Sequence, residues 1–174
     1  MGPIELVFIV MVGLFGVVGI VRGHTRELGV TIMILLALWV LGFIDKEMPE
    51  PLGRLLNLLV GPNEATQRVT KGILFGVFLT GVVFISYQGE TLSFHGKGKN
   101  NVFGACSGLL NGYLFAGSLW YYLAEAGWPL RVFEISVNYT QFYRMAWDLL
   151  PPNVLTWPYL IGLAAFMLIM RIVK

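Results

Sequence analysis

The sequence predicts an all-α integral membrane protein, a bundle of about five transmembrane helices with one or two amphipathic helices at the membrane surface. The first observation is composition, because hydrophobic residues make up 56% and charged residues only 13% of the 174 residues. A typical soluble domain has about 25% charged residues. The second observation is that the apolar residues are grouped into long runs separated by polar segments. Both features indicate a chain that folds in lipid.

Five apolar runs approach the length of about 20 residues that a helix needs to cross a hydrocarbon layer of ~30 Å. They cover residues 4–21, 28–44, 72–87, 102–124 and 157–173. The third run is the shortest, and it needs local bilayer thinning or flanking side chains to reach across.

Two segments between these runs have the pattern of short amphipathic helices. In "PLGRLLNLLVGP" leucines dominate, Arg54 and Asn57 share one face, and prolines bracket the segment. Across residues 137–150, polar residues follow i, i+3 and i+7 spacing and apolar residues form the opposite stripe. Aromatic residues, Tyr143 and Trp147 among them, recur every four residues along one edge, where they would lie at headgroup depth. Both segments are therefore predicted to lie in the membrane interface.

Small residues recur along one face of the fourth run and predict a helix-packing seam. Four of them lie at strict four-residue intervals: Gly104, Gly108, Gly112 and Ala116. Further glycines lie in the first run (Gly13, Gly16) and in the third (Gly72, Gly76). Because such a face carries little side chain, a second helix can approach its backbone closely in lipid. Either a tightly packed monomer or a seam for self-association or partner docking fits this pattern, and the monomer is favoured.

The first two runs are separated by the charged turn "RGHTRE", which contains Arg22, His24, Arg26 and Glu27. An anion-binding or proton-handling cluster is one interpretation. The favoured one is a wet hairpin turn, in which two cations follow the tendency of Lys and Arg to face the cytoplasm. A second short turn carries Lys97 and Lys99, so both turns are predicted to be cytoplasmic. The N-terminus is then outside, and the C-terminus is cytoplasmic.

The sequence disfavours several classes of function. Its cations are too few and too scattered for a nucleic-acid groove. All carboxylates fall at the ends of runs or between them, which argues against a transporter with a buried ion path. No catalytic residue is assigned, because Cys106 and Ser107 lie inside a predicted span, far from both histidines. Asn111 is the main polar residue inside a span, and we expect it to make an interhelical hydrogen bond.

Neither His24 nor His95 belongs to a recognisable ligand motif. No metal site and no cofactor is therefore predicted, and contact with haem or chlorophyll is left open. Solvated or structural histidine is the favoured interpretation of both residues.

Two stretches carry a resemblance to a known family. "GIVRGHTREL" resembles the Arg-Gly-x-x-Arg-Glu turn after the first span of the colicin V production protein family, and "NNVFGACSGLLNGYLFAGSLWYYL" resembles its fourth span, which is rich in glycine. The resemblance covers residues 1–150 and implies a colicin V production type transmembrane domain there. Residues 151–174 form an additional C-terminal helix. Asn100 and Asn101 stand where the family has Asp-Arg, and Asn111 stands where it usually has Arg.

The first hypothesis is a non-enzymatic protein of the bacterial inner membrane, of the colicin V production type. Its partners are expected to be membrane lipids and other copies or other polypeptides, as a homo-oligomer or as a subunit of a larger complex. The alternative is an accessory subunit of a respiratory or photosynthetic membrane complex that contacts other subunits or pigments.

Overall fold

The computed structural model describes residues 4–89, 101–127 and 141–172, and these residues form helices without any strand. In chain order the helices are α1 (Ile4–Arg22), α2 (His24–Glu47), α3 (Pro49–Val60), α4 (Glu64–Gln88), α5 (Asn101–Glu125), α6 (Gln141–Asp148), α7 (Pro151–Val154) and α8 (Trp157–Ile172). The predicted all-α class is confirmed.

Four helices, α1, α2, α4 and α5, are long and apolar enough to cross a membrane. The chain is therefore a membrane protein. The fifth predicted span corresponds to α8, a shorter apolar helix of 16 residues. At 1.5 Å per residue its described part is about 24 Å long, so its crossing of the bilayer stays a prediction.

Two helices, α2 and α4, begin one or two turns earlier than the apolar runs do. α2 begins at His24, and the only residue between α1 and α2 is Gly23, whose φ of 85° lies in the region that favours glycine. α4 begins at Glu64, where the Asn63 side chain accepts hydrogen bonds from the backbone N–H groups of Ala65 and Thr66. The predicted third span began about two turns too late, because the side chains in the first two turns of α4 are polar and do not extend an apolar run.

α5 lies at the centre of the bundle, where it packs against α1, α2 and α4. The main core is formed by buried apolar residues of α2, α4, α5 and α8. A second, smaller core joins Ile4, Trp120, Tyr143 and Leu150, at the other end of α1 from Arg22.

Both predicted amphipathic segments contain helices. In α3 the side chains of Leu55, Leu58 and Leu59 are exposed, and their place in the membrane interface stays a prediction. In α6, Tyr143 is buried against Trp120, and Trp147 stacks on Tyr121. The aromatic edge of α6 therefore packs onto α5, and the predicted position of these rings at headgroup depth stays a prediction.

Candidate functional site: a buried carboxylate network

A carboxylate is completely enclosed where α1, α2, α4 and α5 meet. Glu27 lies in the first turn of α2, and its side chain has no exposed surface. The helix begins at His24, so Glu27 is its fourth residue and faces the neighbouring helices. Removing a carboxylate from water is costly unless other groups replace the lost hydration, so its partners decide whether the site can exist.

Three donors from three other helices reach the carboxylate oxygens of Glu27. The Tyr87 hydroxyl donates to Oε2 over 2.8 Å, and Asn111 Nδ2 donates to the same oxygen over 2.9 Å. Arg22 Nη1 donates to Oε1 over 3.2 Å and supplies the compensating positive charge. The carboxylate thus joins the end of α1, the end of α4 and the middle of α5 to the start of α2.

A second layer of hydrogen bonds holds Asn111 in place. Asn111 Nδ2 also lies 3.0 Å from the carbonyl oxygen of Glu27, to which it donates. The Thr31 hydroxyl lies 2.7 Å from Asn111 Oδ1 and 3.0 Å from the same carbonyl oxygen, and both are acceptors for its proton. Thr31 is thereby the residue that orients the amide group, and the amide nitrogen then faces the carboxylate.

Arg22 connects this network to the bundle surface. Its guanidinium carbon lies 4.5 Å from the centre of the Tyr87 ring, a cation–π arrangement. The Arg22 side chain is 19% exposed, so it reaches the surface at the end of the bundle. Chemically the site is a charge pair whose carboxylate is enclosed by protein donors and whose cation, Arg22, is partly exposed.

The prediction that Glu27 belongs to a wet turn is wrong. The physical reason is that the turn is one residue long instead of six, which moves Glu27 into α2 and against α5. The argument against a transporter that rested on the absence of a buried charge is therefore removed.

The other residues of the predicted charged turn, His24 and Arg26, are not among the donors to the Glu27 carboxylate. The His24 ring packs near Phe103 of α5, with ring centres 6.4 Å apart, and Arg26 is exposed. His95, Lys97 and Lys99 lie outside the described residues.

The glycine seam joins α1 to α5 directly beside the network. A methyl group built on Gly112 would lie 2.9 Å from Val12 Cα. One built on Gly104 would meet the carbonyl oxygen of Gly19, and one on Gly108 would meet that of Phe15. These close approaches require glycine and bring α1, with Arg22 at its end, against the helix that carries Asn111.

The remaining seam residues divide into two groups. Gly16 faces Leu109, Ala116 is buried on α5, and Gly72 and Gly76 face Tyr122 and Leu119 respectively, between α4 and α5. Gly13 is different, because nothing lies within 4 Å of a methyl group built on it. It follows Val12 by one residue, about 100° around the helix, and therefore points away from α5. It is therefore not part of the contact between α1 and α5 within this chain.

Two functional features were not predicted from the sequence. One is the role of Tyr87 and Thr31 as partners of the Glu27 network. The other is a second charged cluster at the opposite end of the bundle, where Lys71 Nζ lies 2.8 Å from Asp45 Oδ1 and 3.8 Å from Glu125 Oε2. The spacing of Glu27 and Thr31, one helical turn apart, was the available signal that both face the same neighbour.

No match to this chain is found among protein-family models, curated proteins or solved structures. Among residues 4–89, 101–127 and 141–172, no three His, Cys, Asp or Glu side chains form a group that could hold a metal ion.

Proposed function

We propose that this chain is a non-enzymatic membrane protein of the colicin V production type that acts through a protein or lipid partner in the bacterial inner membrane. The observation that carries the proposal is the contact between Glu27 and Asn111. These residues belong to the two stretches that resemble the family, and they lie 84 positions apart. Two stretches that resemble the same family and also form one network support a shared structural role.

Asn111 replaces the Arg that the family usually has at this position, and the hydrogen-bond network compensates for this difference. Where the family usually has an Arg, this chain has an amide that donates to Glu27 without bringing a charge. Arg22, from the other stretch, pairs with the carboxylate instead. The charge balance around the buried acid is thus kept by a residue on α1, which supports the resemblance despite the substitution.

The partner-binding surface in this proposal is the end of the bundle near Gly23. Arg26 is exposed there, and Arg22 and His24 are partly exposed. With the N-terminus outside and the C-terminus cytoplasmic, this end faces the cytoplasm, where cations attract anionic headgroups or acidic segments of a partner. The Glu27 network fixes the position of Arg22 on this surface.

Complementation tests the proposal. The chain is expressed in a bacterium that makes colicin V but lacks its own colicin V production protein, and colicin release is measured. We expect the unmodified chain to restore release, Glu27→Gln to fail, and Glu50→Gln to behave normally, because Glu50 is exposed on α3. Membrane abundance of each variant is measured in parallel, so that a loss of folding is distinguished from a loss of function. An absence of rescue by the abundant unmodified chain contradicts the proposal.

Copurification distinguishes the proposal from the alternative of an accessory subunit. The chain is extracted from its native membrane in a mild detergent, run on a native gel and scanned for visible absorption. A colourless homo-oligomer, or a colourless complex with a non-respiratory partner, supports the proposal. Comigration with a haem- or chlorophyll-containing complex supports the accessory subunit.

A further inference from the structure

A cavity of about 370 Å³ lies at the end of the bundle opposite Glu27. Its walls come from the end of α2, the end of α5, α7 and the start of α8, and it is open on one side. Leu38 and Leu160 line its apolar part, whereas Asp45 and Lys46 line a polar rim. Its volume, and a wall that is mostly apolar with a few polar groups, are typical of ligand sites in proteins.

Two tight contacts hold the walls of this cavity in place. A methyl group built on Gly42 would lie 2.8 Å from Trp157 Cβ, and one built on Gly117 would lie 2.6 Å from Pro151 Cδ. The first contact sets the start of α8 against α2, and the second sets α7 against α5. The cavity therefore lies between helices whose relative positions are fixed by close packing.

One buried polar group on the cavity wall lacks a partner. Tyr122 lines the cavity, and only 6% of its surface is exposed. Its hydroxyl makes no hydrogen bond within residues 4–89, 101–127 and 141–172. By contrast, the neighbouring Tyr121, which also lines the cavity, donates its hydroxyl proton to Glu125 Oε1 over 3.0 Å. Because a buried donor without an acceptor costs free energy, Tyr122 indicates a ligand that supplies one.

The charges at the rim are already matched within the protein. Lys71 Nζ lies 2.8 Å from Asp45 Oδ1 and 3.8 Å from Glu125 Oε2. Lys46 Nζ lies 4.0 Å from Asp45 Oδ2. These two cations and two carboxylates have no net charge, so an anion or a cation would meet no excess of opposite charge there. The rim therefore favours an uncharged ligand.

The depth of Tyr122 indicates that this ligand is an amphiphile. Charged side chains avoid the hydrocarbon layer, which places the rim near the headgroup level. Tyr122 precedes Glu125 by three residues, about 4.5 Å along α5, and so lies just below the rim. Leu38 precedes Asp45 by seven residues on α2 and lies deeper. A ligand that fills this space has its hydrogen-bond acceptor beside Tyr122 and its apolar part beside Leu38.

We propose that this cavity binds an uncharged amphiphile whose carbonyl oxygen accepts a hydrogen bond from Tyr122. Membranes offer two sources of this chemistry, the ring carbonyls of isoprenoid quinones and the ester carbonyls of diacylglycerol. The quinone is the expected ligand, because Trp157, Pro151 and Pro158 give the cavity rigid, flat walls against which a planar ring can stack. The site is separate from the Glu27 network and does not depend on the function proposed above.

Native mass spectrometry of the full chain in dodecyl maltoside tests the site, with decylubiquinone and dioleoylglycerol as separate probes. Tyr122→Phe removes the hydroxyl and keeps the ring, and we expect it to weaken binding by about fivefold, the size of one hydrogen bond. Tyr121→Phe is the matched control, because its hydroxyl is already bonded to Glu125, and we expect it to bind like the unmodified chain.

The two probes distinguish the two sources. Saturable binding of decylubiquinone that depends on Tyr122 identifies a ring carbonyl, and the same result with dioleoylglycerol identifies an ester carbonyl. Either result, or both together, supports the site. Equal binding by Tyr122→Phe and the unmodified chain overturns the proposal, and so does the absence of saturable binding of both probes.

The apolar wall and the neutral rim are tested separately. Leu155→Trp fills part of the cavity and is expected to weaken binding of the probe, whereas Leu58→Trp on the exposed face of α3 leaves it unchanged. Dioleoyl phosphatidylglycerol and the cationic lipid dioleoyl trimethylammonium propane are added as competitors at the concentration of the probe. We expect neither to displace it. Displacement by either charged lipid contradicts a site for an uncharged ligand.

Discussion

Charged side chains at the two ends of the helix bundle are stabilised in different ways. At one end Glu27 is fully enclosed and receives hydrogen bonds from Arg22, Tyr87 and Asn111. At the other end, about 27 Å along α2, Asp45 is partly exposed and belongs to a cluster of alternating charges with Lys71. The first end replaces water with neutral protein donors and one cation, and the second keeps water within reach.

From this difference we can infer how each end responds to amino-acid substitutions. A buried charge loses several kcal/mol when its partner is removed, because no water can take the partner's place. The Asp45–Lys71 pair is partly exposed, with 19% and 22% of the two side chains accessible, and it loses less because water can solvate the remaining charge. We therefore expect the Glu27 end to be rigid and sensitive to substitution, and the Asp45 end to tolerate substitutions and to be available for ligands.

The largest effect is expected where the helix backbones approach most closely. Gly108→Leu places a side chain against the Phe15 carbonyl and separates α1 from α5, which separates Arg22 from Asn111. We expect most of the protein to be lost from the membrane or to elute as aggregate in size-exclusion chromatography. Gly13→Leu is the matched control on α1, because a methyl group there meets nothing within 4 Å. Equal loss from both variants would contradict the seam.

The next largest effect is expected from the buried ion pair. Arg22→Leu leaves the Glu27 carboxylate without its cation, and we expect a loss of about 3 kcal/mol in the free energy of unfolding. The measurement is unfolding in mixed micelles of mild detergent and SDS. Arg54→Leu on exposed α3 serves as the control. A loss below about 1 kcal/mol for Arg22→Leu would indicate that Glu27 is reached by water.

Asp45→Asn is the corresponding substitution at the opposite end of the bundle. The amide keeps the shape of the side chain and removes the charge that pairs with Lys71, while Glu125 remains 3.8 Å from Lys71. We expect a loss of about 1 kcal/mol in the same unfolding measurement, with a dependence on salt that Arg22→Leu lacks. A loss as large as that of Arg22→Leu would remove the distinction between the two ends.

The smallest of these effects is expected from Thr31→Val. It deletes the hydroxyl that holds Asn111 and keeps the volume of the side chain. Hydrogen bonds between membrane helices contribute about 0.6 kcal/mol on average, and we expect a loss of that size. The double variant with Asn111→Leu is expected to be no less stable than Asn111→Leu alone, because the Thr31 hydroxyl acts through the amide. Additive losses would place Thr31 outside the network.

The sequence was sufficient to predict most of the long helices, since hydrocarbon solvent requires long apolar runs and these are visible without any structure. It failed at helix ends. α4 begins after Asn63 and α2 begins after Gly23. That these two residues define the helix starts is seen only in the folded structure. The errors on Glu27 follow directly, because a shift of one helical turn changes an exposed turn residue into a buried one.

By itself the sequence determined the solvent in which this chain folds and the set of small residues at which helices can approach. The tertiary structure alone decided which of these positions make contact, so that Gly16 packs against α5 and Gly13 does not. It also decided that Glu27 is buried, since its donors come from residues 5, 60 and 84 positions away. The physical reason is that hydropathy is a property of each segment, whereas the hydration that a buried charge gives up can be replaced only by groups that other helices bring to it.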